Sequence, residues 1–190
     1  MKKKAVKIIV PILALLMLLA MASSAKACLF SPPSKTPITV AITGLTSISY
    51  STLKYVVHDD IEYLLYFTFS GTIAIFAGTF SYATLPSTPL TTVDFVDVCW
   101  GTYNIATNTG SYTFYEVWTI SNGATFVGFD HPHSTGDLLS YLGVNTGNPP
   151  WSAVEAHMVV VGTGAYAGQV IDVASPNLLA SPCTGYWLTP

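Results

Sequence analysis

Bulky and polar residues alternate most regularly between Ser111 and Ile120. Strand geometry puts Tyr112, Phe114, Glu116, Trp118 and Ile120 of that run on one face. Asn122-Gly123 follows, then a second β-rich run over residues 124–129. Asn-Gly between two such runs predicts a hairpin, because both residues tolerate positive φ. Residues 38–43 and 47–57 also read as strands, with His58-Asp59-Asp60 as a turn. Residues 61–82 are almost continuously apolar and aromatic. Tyr, Phe, Thr and Ile there, interrupted at Gly71 and Gly78, predict kinked or bulged strands rather than a helix. Further strands are expected over residues 92–105, 153–161, 169–174 and 185–188. Residues 130–150 form the longest irregular stretch, and a loop of that length is usually functional or mobile. Eight to ten strands with hairpin spacing and no helical crossover predict an all-β antiparallel fold. We expect an eight-stranded up-and-down barrel, with a β-sandwich as the alternative.

The start of the chain follows a different pattern. Lys2, Lys3, Lys4 and Lys7 precede an apolar run of 15 residues (8–22), and Ala25 and Ala27 supply small side chains. These are the three parts of a secretory signal, with cleavage expected after Ala27. The run is shorter than the ~18–20 residues that span a bilayer, which disfavours an uncleaved anchor. The expected organisation is a signal peptide over residues 1–27, a Pro-containing extended lead-in over 28–37, and one β-barrel domain over 38–190. The expected location is secreted, extracellular or at the cell surface, without stable membrane insertion after cleavage.

Cleavage changes the charge. The chain has seven Lys and no Arg; loss of five Lys leaves Lys35 and Lys54 against ten carboxylates, a formal charge of −8. Two cations cannot neutralise a phosphate backbone, so nucleic acid is excluded as a partner. Anionic membrane surfaces and phosphoryl substrates are disfavoured for the same reason. Charged residues make up 9% of the chain, and hydroxyl and aromatic residues take their place. Cys28, Cys99 and Cys183 remain, and an oxidising compartment predicts a disulfide. Cys99–Cys183 would tie the chain end to the barrel, with Cys28 as a competing partner. Cys28 would also be the first mature residue, but Lys26 fits a lipoprotein cleavage site badly.

Residues 159–168, Val-Val-Val-Gly-Thr-Gly-Ala-Tyr-Ala-Gly, resemble the glycine-rich hairpin of the allene oxide cyclase and dirigent barrel family. The pair of runs around Asn122-Gly123 is similar to the preceding hairpin in prokaryotic barrels of that type. The resemblance covers roughly residues 60–174 and implies an eight-stranded barrel around an apolar cavity. Members of the family cyclise an epoxide, steer radical coupling, or have no known activity. Dirigent-type sites use Arg with carboxylates, and this chain has no Arg. The resemblance therefore bears on fold rather than reaction.

Several residues are candidates for chemistry. Glu116 shares its face with Tyr112, Phe114 and Trp118; if that face lines the barrel, desolvation raises its pKa and makes it an acid, a base or a ligand contact. An outward face would make it a solvated charge. Asp130, His131 and His133 are weak metal candidates, because four-coordinate zinc needs more ligands than this segment carries. Residues 162–168 lack the Lys and the following helix of a phosphate loop. Glu155 and His157 share a strand face. Trp100, Trp118, Trp151 and Trp187 suggest a carbohydrate-stacking or packing surface. No cofactor is expected. The preferred reading is a non-catalytic barrel for a small apolar ligand or a cell-surface role. The alternatives are a cyclase or isomerase with a pocket carboxylate, and a self-associating subunit of an extracellular filament or coat.

Overall fold

Strand pairing follows chain order almost throughout. The computed structural model describes residues 32–190, with backbone only for residues 45–52; the signal segment, Ala27 and Cys28 lie outside the described residues. Its strands are β1 (Ser34–His58), β2 (Ile61–Ala77), β3 (Thr91–Asn104), β4 (Thr109–Ile120), β5 (Thr125–Asp130), β6 (His133–Thr135), β7 (Ala153–Gly162), β8 (Val170–Ser175) and β9 (Cys183–Thr189). A short helix, α1 (Leu138–Tyr141), sits between β6 and β7. Hydrogen-bonded neighbours run β3-β2-β1-β9-β8-β7-β5-β4, and β4 pairs back with β3. Every pairing is antiparallel, so these eight strands close an up-and-down barrel. The short β6 pairs with both β4 and β7 and prolongs the line of β5. Closure leaves no long unpaired edge along the barrel wall.

Local chemistry sets the turns. Asp59 and Asp60 join β1 to β2 at φ 49° and 61°, a left-handed conformation that Asp tolerates through its short polar side chain. Gly123, at φ 81°, turns β4 into β5, and Asn122 Oδ1 accepts the Ala124 N–H at 3.0 Å.

Three boundaries differ from the sequence reading. The lead-in is shorter than expected, because Ser34–Val40 pairs with Thr189–Cys183 and already belongs to β1. The apolar stretch from Ile61 is one strand through Gly71 up to Ala77. Its irregularity lies instead between Leu64 and Phe67, which keeps both side chains buried. Gly71 stays in the strand because the Gly44 carbonyl and the Phe95 ring lie against it: an added Cβ would clash with the Gly44 oxygen and meet Phe95 Cε1 at 2.8 Å. The stretch over 130–150 carries β6 and α1 rather than loop alone.

One end of the barrel is filled by Trp118, Phe126, Val160, Ile171 and Trp187. Tyr166, in the turn between β7 and β8, packs against Phe126 and Trp187 with ring centroids 5.4 and 5.9 Å away. Leu138 and Leu139 of α1 pack on a second cluster with Leu64, Phe67, Tyr112 and Phe114. The expected Cys99–Cys183 disulfide is absent; both thiols are free and buried. Cys99 is on β3 and Cys183 on β9, three positions apart around the wall. At about 4.8 Å per strand, that separation exceeds the ~7 Å Cα limit for a disulfide.

Candidate functional site

A cavity of about 470 Å³ lies inside the barrel. Phe67, Phe69, Phe95, Phe114 and Trp151 give it aromatic walls, with Met158 and Leu138 between them. The β1–β9 pairing ends at Val40↔Cys183. Beyond it, Ile42, Thr43 and Gly44 of β1 border the cavity, with Leu178 and Leu179 from the loop before β9 and Tyr141 from α1. Ile42, Leu179 and Tyr141 are exposed and mark the mouth. Tyr82 also lines the cavity, and its hydroxyl donates to the Leu178 carbonyl at 2.9 Å.

Three carboxyls line the same space: Asp97 from β3, Glu116 from β4 and Asp130 from β5. Register brings them together. Asp97 stands directly opposite Glu116, and Asp130 stands opposite Phe114, one inward position from Glu116. All three are buried. They lie at the inner end of the cavity, where it meets the packed end, because Trp118 belongs to that packing and donates Nε1–H to Glu116 Oε2 at 2.7 Å. Asp130 Oδ1 accepts the His157 backbone N–H at 3.0 Å. Asp97 Oδ1 is buried and has no hydrogen-bond partner. Trp151 Nε1 is also buried outside hydrogen-bonding geometry, and its weak interaction with the Tyr112 hydroxyl does not satisfy it.

Burial and mutual repulsion raise all three groups above the ordinary carboxyl range. Desolvation pushes Glu116 well above the ordinary carboxyl range, reinforced by Asp97 and Asp130. Asp97 is raised for the same reasons, by burial first and then by Asp130. Asp130 is raised by burial to about 6, with the backbone bonds from His157 and His131 opposing the shift. The neighbouring thiols, Cys99 and Cys183, are pushed up by burial and stay protonated.

A second acidic cluster sits by α1. Asp137 caps that helix by accepting the Leu139 N–H at 2.9 Å. Its other oxygen accepts from Thr146 Oγ1 at 2.6 Å and Asn148 Nδ2 at 3.1 Å. Asn148 Nδ2 also reaches Glu62 Oε2 at 3.3 Å. Glu62 is raised to about 7, by burial first and by Asp137 second.

The inward face of β4 therefore carries Tyr112, Phe114, Glu116 and Trp118, all buried. Only Phe114 and Glu116 of these line the cavity. Asp130, His131 and His133 are split by alternation: Asp130 is buried inside, while both imidazoles are exposed. Among the described residues no group of three or more His, Cys, Asp or Glu converges on a metal position. His157 pairs on the exposed wall with Asp172, Nε2 to Oδ1 at 2.8 Å. The four Trp form no shared surface: Trp118 and Trp187 pack in the closed end, Trp151 lines the cavity, and Trp100 is exposed. Asp97 was not singled out from the sequence. Its parity with Phe95 and Cys99 in the run from Val93 to Cys99 carries the signal that places it inside. No protein family, curated protein or solved structure matches the chain.

Proposed function

We propose that this is an exported barrel that holds one small, largely apolar ligand whose polar end meets Asp97, Glu116 and Asp130. The observation that carries the reading is the cavity itself: about 470 Å³ of aromatic-walled space with the three carboxyls gathered at its inner end. Ligand sites are commonly of this kind, mostly apolar with a few convergent polar groups. Export is supported by the tripartite start of the chain and by the scarcity of charge. The likeness of residues 159–168 to the allene oxide cyclase and dirigent hairpin supports the same reading at the level of fold.

The test is a titration of secreted protein with prodan, a neutral naphthalene dye, alongside native mass spectrometry. One saturable site per chain with blue-shifted emission is expected. A flat titration together with a bare-chain mass would remove the reading.

A second reading has one observation in its favour. Asp130 titrates near 6 beside a Glu116 held protonated, which sets a proton acceptor and a donor in one cavity. An isomerase or cyclase of this kind would turn over its bound ligand with a pH limb near 6, and E116Q would abolish turnover while the dye still binds.

A further inference from the structure

We propose that the ligand is an apolar amine, a primary or secondary ammonium on an aromatic or aliphatic skeleton, with its N–H groups held by Asp97, Glu116 and Asp130. The proposal rests on the ligand-binding reading above and names the ligand's chemistry.

The first argument is the missing donor. Asp97 is 4% exposed, lines the cavity, and leaves Oδ1 buried without a partner. An orphaned buried acceptor of this kind is destabilising. Its partner has to come from outside the fold, from a bound water or a ligand. The second argument is charge. The described cations are Lys35 and Lys54, both exposed on β1, and Lys35 lies over the Tyr186 ring at 5.7 Å. Neither lines the cavity. His131 and His157 act on Asp130 alone, so the counter-charge for Asp97 and Glu116 comes from protons or from a ligand. The third argument is the wall. The faces of Phe67, Phe69, Phe95 and Phe114 carry the negative part of the ring quadrupole and attract a cation within about 6 Å.

These features also exclude other ligands. A fatty carboxylate, phosphate or sulfate would bring like charge to three acids with no Lys or Arg among the cavity-lining residues to offset it. A bare metal ion would leave the aromatic space unfilled, and no set of three or more ligating side chains converges among the described residues. An alcohol offers one donor. An ammonium offers up to three, and three carboxyls face it.

The proton balance follows. Titratable groups facing the site are Asp97 and Cys99 from β3, Glu116 from β4, Asp130 from β5 and Cys183 from β9, with His131 and His157 acting on Asp130 from its backbone neighbours. The thiols stay neutral. An arriving ammonium keeps its own N–H bonds, one carboxylic O–H breaks, and that proton leaves for solvent. Binding therefore releases a proton wherever the carboxyl was protonated, and the amine binds more tightly as pH rises.

Three ligands of one skeleton test this by calorimetry: 4-phenylbutylamine, 4-phenylbutanol and 4-phenylbutyrate. The amine is expected to bind at least about tenfold tighter than the alcohol, since hydrogen bonds to charged groups are the stronger kind, with the butyrate weakest. Amine affinity should rise between pH 5 and 7 with proton release into the buffer, while alcohol affinity stays flat. D97N/E116Q should lose the preference for amine over alcohol. Alcohol binding equal to amine, or butyrate binding tightest, overturns the amine assignment and leaves the apolar-ligand reading standing. Failure of all three ligands and of the neutral dye overturns both.

Discussion

Asp137 and Asp97 are both buried carboxylates in one small barrel, and their surroundings are opposite. Asp137 accepts from Leu139 N–H, Thr146 Oγ1 and Asn148 Nδ2, all from the segment it organises. Asp97 has an oxygen with no donor, faces two further carboxyls and lines open space. Burial is common to both, so burial does not distinguish a structural acid from one that awaits a ligand. The distinction lies in unmet hydrogen bonding. Asp137 holds the covering segment in place. Asp97 leaves the barrel interior incomplete.

The contrast should be clearest on removing Asp137. D137A deletes a helix cap and two side-chain bonds, leaving Thr146 with Ser140 and Asn148 with Glu62 as remaining partners. A loss of about 2–4 kcal/mol is expected in urea unfolding, with faster amide exchange over residues 138–150. An unchanged midpoint would erase the contrast.

D97N should act in the other direction. It keeps the shape and removes a buried acid whose proton the unfolded chain releases at pH 8, so stability there should rise by about 1–2 kcal/mol while amine affinity falls. Destabilisation by D97N would place Asp97 with Asp137 as a structural acid.

A further effect is on pH dependence. Glu62 is raised to about 7 and Asp130 to about 6, so the folded chain keeps protons that the unfolded chain releases at lower pH. The resulting stability is fully present below the ordinary carboxyl range and is lost as pH rises through 6 and 7. The melting temperature should fall by roughly 5 °C or more from pH 5 to pH 8. E62Q should flatten the upper part of that fall, and D130N the lower part. A profile that rises over this interval would contradict both shifts.

Alternation made the wall legible. Period-2 spacing puts Glu116 with Tyr112, Phe114 and Trp118, and the same parity holds for Asp97 between Phe95 and Cys99. Parity also separates Asp130 from His131, a split that residue type alone concealed. The gathering of the three acids depends on the register of β3, β4 and β5, which is set by pairing across the sheet. The Glu62–Asn148–Asp137 contact joins residues far apart along the chain, and no local spacing marks it. Gly71 looked like a break because a strand glycine often is one; here the space it leaves is taken by the Gly44 carbonyl and the Phe95 ring. The cysteine pairing failed because it needs a distance around the barrel, which spacing along the chain does not encode.

The joint between β1 and β9 has a kinetic consequence. Ser34 and Thr189 meet although they lie 155 positions apart along the chain. The barrel therefore has no closed form until its last strand exists, and β1 has to wait for its second partner. Contacts this distant in sequence place the fold among slow folders, with closure taking milliseconds to seconds. During that interval the incomplete sheet presents two open edges, β1 and β8, each able to recruit a strand from another chain.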